Sequence, residues 1–109
     1  MILVLPFIFI KKYVGLSIWP FIVLREDRLK EDLVLVNHER IHLRQQLEMF
    51  IVPFYLWYLL EWCVRFCMYR NAYLAYQNLS FEREAYLHEG DLNYLNSRNP
   101  YSFIKYLWP

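Results

Sequence analysis

The chain has 109 residues, enough for one domain and not comfortably for two. It is 58% hydrophobic and 20% aromatic, more apolar surface than an ordinary domain of this size can bury, so a membrane, a partner subunit or a ring-lined groove must meet part of it. A formal net charge of +1, with no concentrated basic face, excludes nucleic acid as a partner.

Residues 1–10, MILVLPFIFI, lack a basic start and a small-residue cleavage site, so no signal peptide is expected. Pro6 and Lys11-Lys12 interrupt that run well short of a membrane span. The β-branched and aromatic residues at 8–10 and 17–24, punctuated by Gly15 and Pro20, predict short strands within 1–24 that form a small antiparallel sheet or hairpin. The mixed charges of 25–32, REDRLKED, predict a solvated turn.

A helix over 33–52 follows, and it carries His38-Glu39-Arg40-Ile41-His42. Asn37 is an N-cap candidate directly before the motif, whereas a helical 31–36 would set the motif further in. Pro53 is expected to stop the helix near Val52 or kink it into a second helix, 54–69. That second stretch, FYLWYLLEWCVRFCMY, is apolar nearly all round except for Glu61 and Arg65, four apart and placed to pair. Cys63 and Cys67 read as small apolar fillers. The segment is short for a membrane span, and its rings at Tyr55, Trp57, Tyr58 and Trp62 suit an interfacial zone. Contact with a membrane surface through 54–69 therefore competes with burial in a homo-oligomer or in the core.

A third helix is predicted over 80–97, with Ser80 as N-cap candidate and Glu82 and Glu84 in its first turn. Gly90 weakens this helix, Asn99-Pro100 closes it, and the tail YSFIKYLWP is expected to pack back on the core.

On a helix, histidines four apart share a face and can reach one metal ion, and the glutamate between them is placed as a base for a metal-activated water. Catalytic zinc takes three protein ligands and keeps an open position, so a third ligand must come from another element. Glu82 and Glu84 are the candidates, with Ala85 beside them allowing two backbones to approach. At about 100° per residue they flank opposite sides of their helix, and periodicity does not choose between them. Gln45 and Gln46 either line the site or cap polar surface, with surface the favoured reading, and Arg40 and Arg44 read as a solvated face. Tyr76, Tyr86 and His88 are transition-state donors by residue type, although His88 on an apolar stripe reads more simply as a core histidine. So short a chain leaves little material for the walls of a substrate cleft.

These segments resemble gluzincins, zinc peptidases whose third ligand is a glutamate on a downstream helix within an E-x-x-A pattern, here Glu82-x-x-Ala85. They are similar above all to short bacterial zincin-like proteins with H-E-x-x-H-x-x-Q, here His38 to Gln45, and a P-F-E-x-E-A-Y-like segment, here Ser80 to Tyr86. Ser80 stands where proline is frequent, and Tyr86 where membrane gluzincins carry aspartate. The resemblance implies an α+β, mostly helical, minimal zincin-like domain in which the motif helix packs against a glutamate-bearing helix. It implies zinc on His38, His42 and Glu82, with Glu84 the alternative third ligand. Glu39 would be the catalytic base acting on a peptide or protein substrate, in an intracellular or membrane-associated bacterial metallopeptidase. The alternative expectation is a non-catalytic zinc-binding, membrane-associated or oligomeric scaffold.

Overall fold

Three short apolar runs pair into the sheet that frames one side of the molecule. The structure, a computed structural model, describes residues 2–6 and 13–107. Strands β1 (Ile2–Val4), β2 (Gly15–Ile18) and β3 (Phe21–Leu24) form a sheet of order β1-β3-β2. The strand expected at 8–10 lies outside the described residues. The expected hairpin is present as β2 and β3, antiparallel with Gly15 opposite Leu24, and Trp19-Pro20 forms its turn. The sheet is mixed rather than antiparallel, because β1 runs parallel to β3 with Ile2 opposite Ile22. Strand patterning marks a buried face but does not name the neighbour or its direction. The central position of β3 explains its unbroken apolar sequence: Ile22, Val23 and Leu24 are all buried.

The charged run closes as a 3-10 turn over Asp27–Glu31 that buries only Leu29. Helix α1 (Leu33–Glu48) then starts on Asp32, whose carboxylate accepts from the Leu35 N–H at 3.1 Å. Asn37 is thus not the N-cap. It lies inside the helix, and its Nδ2 donates to the carbonyls of Glu89 and Asp91 at 2.9 Å. The motif accordingly sits beyond the first turn, where the helix is anchored on both sides.

Helix α1 ends four residues before the predicted 52. Phe50 and Ile51 take left-handed backbone angles, φ 59° and 66°, and the chain bends by 112° into α2 (Val52–Tyr69). Pro53 occupies the first turn of α2, where a missing N–H costs nothing, so it starts a helix rather than ending one. Asn71 caps the short α3 (Ala72–Gln77), accepting from the N–H groups of Tyr73 and Leu74 at 3.0 Å.

Helix α4 (Ser80–His88) is shorter than the predicted 80–97. It stops at Glu89-Gly90, and a single turn, α5 (Tyr94–Ser97), follows. Gly90, which has no side chain to pack, and the Asp91 side chain, which accepts from the Asn93 N–H at 3.0 Å, favour the break. Nor is Ser80 the N-cap: Glu61 of α2 does that work from outside, accepting from the Ser80 N–H at 2.5 Å and its hydroxyl at 2.6 Å. The tail folds back as a 3-10 turn, Ser102–Tyr106, and buries Phe103 against Phe81 with ring centres 4.5 Å apart.

The molecule is therefore α+β and mostly helical. One apolar cluster (Ile22, Leu24, Leu29, Val36) joins the sheet to α1, and a second (Phe54, Phe81, Phe103) joins α2, α4 and the tail. Between them α1 packs against α4, whose Ala85 is fully buried. No single helix among the described residues is long and apolar enough to cross a membrane.

Candidate metal centre

Helix α1 buries a polar face: Asn37, His38, Glu39, His42, Gln45 and Gln46 are all removed from water. Each must find a partner, since an unpaired buried polar group costs about 1–3 kcal/mol. The partners come from β2 and α4, and together they make the site.

His38 Nε2 and His42 Nε2 stand 3.2 Å apart. Glu82 reaches across from α4 and sets Oε1 at 3.1 Å from the first and 3.0 Å from the second. The other nitrogen of each ring is already engaged. His38 Nδ1 lies 3.2 Å from Glu89 Oε1, and His42 Nδ1 lies 2.8 Å from Gln45 Oε1. Gln45 cannot be turned round, because its amide donates to Phe81 O at 3.1 Å and Glu84 Oε1 at 2.9 Å.

Protons drawn to the two Nδ1 atoms leave both Nε2 lone pairs aimed at each other and at a carboxylate oxygen. Three such atoms in a buried space repel unless a cation enters between them. Zinc bonds to nitrogen and oxygen of roughly 2.0–2.2 Å set tetrahedral ligand atoms roughly 3.3–3.6 Å apart, within a few tenths of an ångström of the observed triangle. The group His38, His42 and Glu82 can thus hold a metal ion.

Without a metal, a proton is the only cation small enough for that space. Burial opposes a charge on His42, but the Glu82 carboxylate outweighs it and raises the imidazole to about 9. Burial likewise works against ionised Glu82, and the two histidines overcome it, holding the carboxyl well below the usual range. Tyr58 of α2 donates to Glu82 Oε2 at 2.8 Å, which leaves Oε1 as the inward oxygen.

Glu39 is buried beside this group. The Ser17 hydroxyl of β2 donates to its Oε1 at 2.6 Å, and Gly15 leaves room for Oε2, since a Cβ there would come within 3.0 Å of it. Burial pushes the Glu39 carboxyl up, against the pull of His42 and His38. Gln46 fastens the same strand, donating to Ser17 O and accepting from the Trp19 N–H, both at 2.8 Å. Gln45 and Gln46 are accordingly interior positioning groups, not the surface their composition suggested, whereas Arg40 and Arg44 are exposed as expected.

Two cavities meet at Glu39. One of about 330 Å³ is lined by Leu16, His42, Tyr55, Tyr58, Tyr76 and Glu82 among others, and one of about 300 Å³ reaches His38, Tyr86 and Glu89. Wall material exists after all, contributed by β2 and the tyrosines of α2 and α3.

Glu84, the alternative third ligand, is directed elsewhere. It accepts from Arg98 and from Tyr94 at 2.6 Å, and Arg98 goes on to Glu48 at 2.5 Å, so this carboxylate sits behind the centre and braces Gln45. Tyr76 and Tyr86 stand at the cavities with their hydroxyls 3.2 Å apart, and the Tyr86 ring packs edge-on against His38. His88 is not with them: its ring stacks on Tyr94 and lies 2.9 Å from the Tyr106 hydroxyl.

No protein-family model, curated protein or solved structure matches the chain. The site stands on its own geometry. The sequence had not marked Ser17, Glu89 or Arg98 at all, and had marked Tyr58 as an interfacial ring and not as a site residue. Glu89 carried a signal, since it lies seven residues after Glu82 on the same helical face; the others arrive from separate elements and carried none.

Proposed function

We propose that the protein is a zinc-dependent peptidase of minimal gluzincin type, with zinc held by His38, His42 and Glu82. The observation behind this reading is the convergence of three buried lone-pair atoms next to a buried glutamate, where two cavities meet. Zinc bound there would supply Lewis acidity toward a peptide carbonyl and would lower the pKa of a water towards neutrality.

The chain's own residues do the rest. Glu39, steadied by Ser17 through Oε1, takes the proton from the attacking water and delivers it to the departing amine. Its burial favours proton uptake. Tyr76 and Tyr86 remain protonated at neutral pH, because burial raises both, Tyr86 to about 12. Their O–H groups are the donors available to a carbonyl oxygen as it gains negative charge. The larger cavity, walled by Leu16, Phe54, Tyr55 and Tyr58, suits an apolar side chain of a peptide or protein substrate.

Replacing Glu39 separates holding the metal from using it. A Glu39→Gln protein is expected to retain one zinc per chain and to lose about 10²–10⁴-fold in hydrolysis of unstructured peptides. If the wild type loads zinc and neither form cleaves, the site is a non-catalytic zinc centre. A purified protein that takes up no stoichiometric metal overturns both readings.

A further inference from the structure

Helix α2 is built inside out. Its only charged residues, Glu61 and Arg65, are buried and face each other at 3.7 Å; Glu61 caps α4, and Arg65 donates to Leu107 O at 2.5 Å. The side turned away from the body carries no charge between Val52 and Tyr69. At about 100° per residue, the inward stripe of buried Phe54, Glu61 and Arg65 with half-buried Tyr58 covers one narrow side, while exposed residues from Tyr55 through Leu59, Leu56 and Leu60 to Met68 span about 220° of the circumference. Leu56, Leu60 and Val64 are 60%, 68% and 59% exposed, and Phe50, at the corner leading into the helix, is 82% exposed. An apolar groove of about 700 Å³ runs along Pro53, Leu56, Leu60, Val64 and Met68.

We infer that α2 is an in-plane membrane anchor, its apolar arc and the Phe50 corner sunk in the interfacial zone of a lipid bilayer. A second copy of the chain, or any folded partner, presents one face and covers only part of an arc this wide; lipid tails are fluid and cover all of it. A protein interface also carries a polar rim, and here the borders are aromatic: Tyr55 and Trp62 on one side of the arc, Trp57 on the other. Such rings settle at headgroup level. The orientation follows from the inward stripe, which runs from Phe54 to Arg65 and packs the domain body along most of the helix. An upright helix would drag that polar body into hydrocarbon, so α2 lies flat with its arc about 5–10 Å deep. The inference is independent of whether the metal centre is catalytic.

Cys63 and Cys67 fall at the middle of the arc, where they are free and exposed, which makes them native reporters. Full-length protein, diluted from mild detergent onto phosphatidylcholine vesicles, is expected to float with them. It should stay bound in about 1 M sodium chloride, where charge interactions reach only about 3 Å. On the vesicles, labelling of the two cysteines by a water-soluble maleimide should slow at least fivefold. The Leu56→Glu/Leu60→Glu variant changes only exposed positions and should keep its circular dichroism while floating at least tenfold less. Protein that stays with the aqueous fraction, binding that salt abolishes, or cysteines that label equally fast on floated vesicles each overturn the inference. So does a vesicle-free dimer that does not float and that the double variant splits, which would identify a second copy as the occupant.

Discussion

Helices α1 and α2 are neighbours in sequence and opposites in construction. Both depart from the usual rule of apolar residues inside and polar residues outside. In α1 the departure lies on the buried face, where His38, Glu39, His42, Gln45 and Gln46 are all answered by groups on β2 and α4 or within the helix. In α2 it lies on the exposed face, where Leu56, Leu59, Leu60 and Val64 are left largely uncovered by the described residues. Hidden polarity calls for partners that can be named, whereas exposed apolarity points to something beyond the chain.

The largest expected effect tests the buried side. Arg98→Ala strands Glu84 and Glu48 without their cation, and denaturant unfolding should show a loss of about 3–5 kcal/mol. Next come the residues that orient the ligands. Gln45→Ala or Tyr58→Phe should weaken metal binding about 10–100-fold in chelator competition, with the ligand set itself intact.

A pH titration reads the same centre through its proton. In the metal-free protein, His42 is raised above its unfolded value of 6.5 to about 9. Its contribution to stability is thus complete below 6.5 and is lost as pH rises through about 9. Thermal melts in chelator should fall across that window, and zinc-loaded protein should not follow, because metal replaces the proton. The smallest effect belongs to the outer face of α2. Leu59→Gln should change stability in mild detergent by no more than about 0.5 kcal/mol. A loss of about 2–5 kcal/mol would mean that the chain itself covers this face and would end the contrast between the two helices.

The two histidines and the glutamate between them were legible because ligands four apart on a helix are a local pattern, fixed by 3.6 residues per turn. The resemblance to the E-x-x-A pattern favoured Glu82 over Glu84, and Glu82 is the one grouped with the histidines; periodicity alone did not choose, since two residues on one helix point roughly 200° apart and the packing of α4 on α1 decides which faces the histidines. Ser17 and Tyr58 were hidden for the same reason, each being brought in by an element whose place is set by the core. The end of α1 was misplaced by four residues because Phe50 and Ile51 carry no turn signature, while the visible signal, Pro53, marks a helix start as readily as an end. The α+β class was within reach because it depends on element type alone.

The two bonds from Gln46 to Ser17 and Trp19 also act as a register lock. Strand β2 lies at the edge of the sheet, and an edge is free to slide or to recruit another chain. A slip of one residue would turn every β2 side chain to the opposite face and carry the Ser17 hydroxyl away from Glu39. Gln46 grips two backbone groups that only the native alignment offers together, while Val36 of the same helix packs on Ile22 and Leu24 of β3. One helix thus holds both strands of the hairpin, and any chemistry at Glu39 inherits its accuracy from the alignment of a four-residue strand.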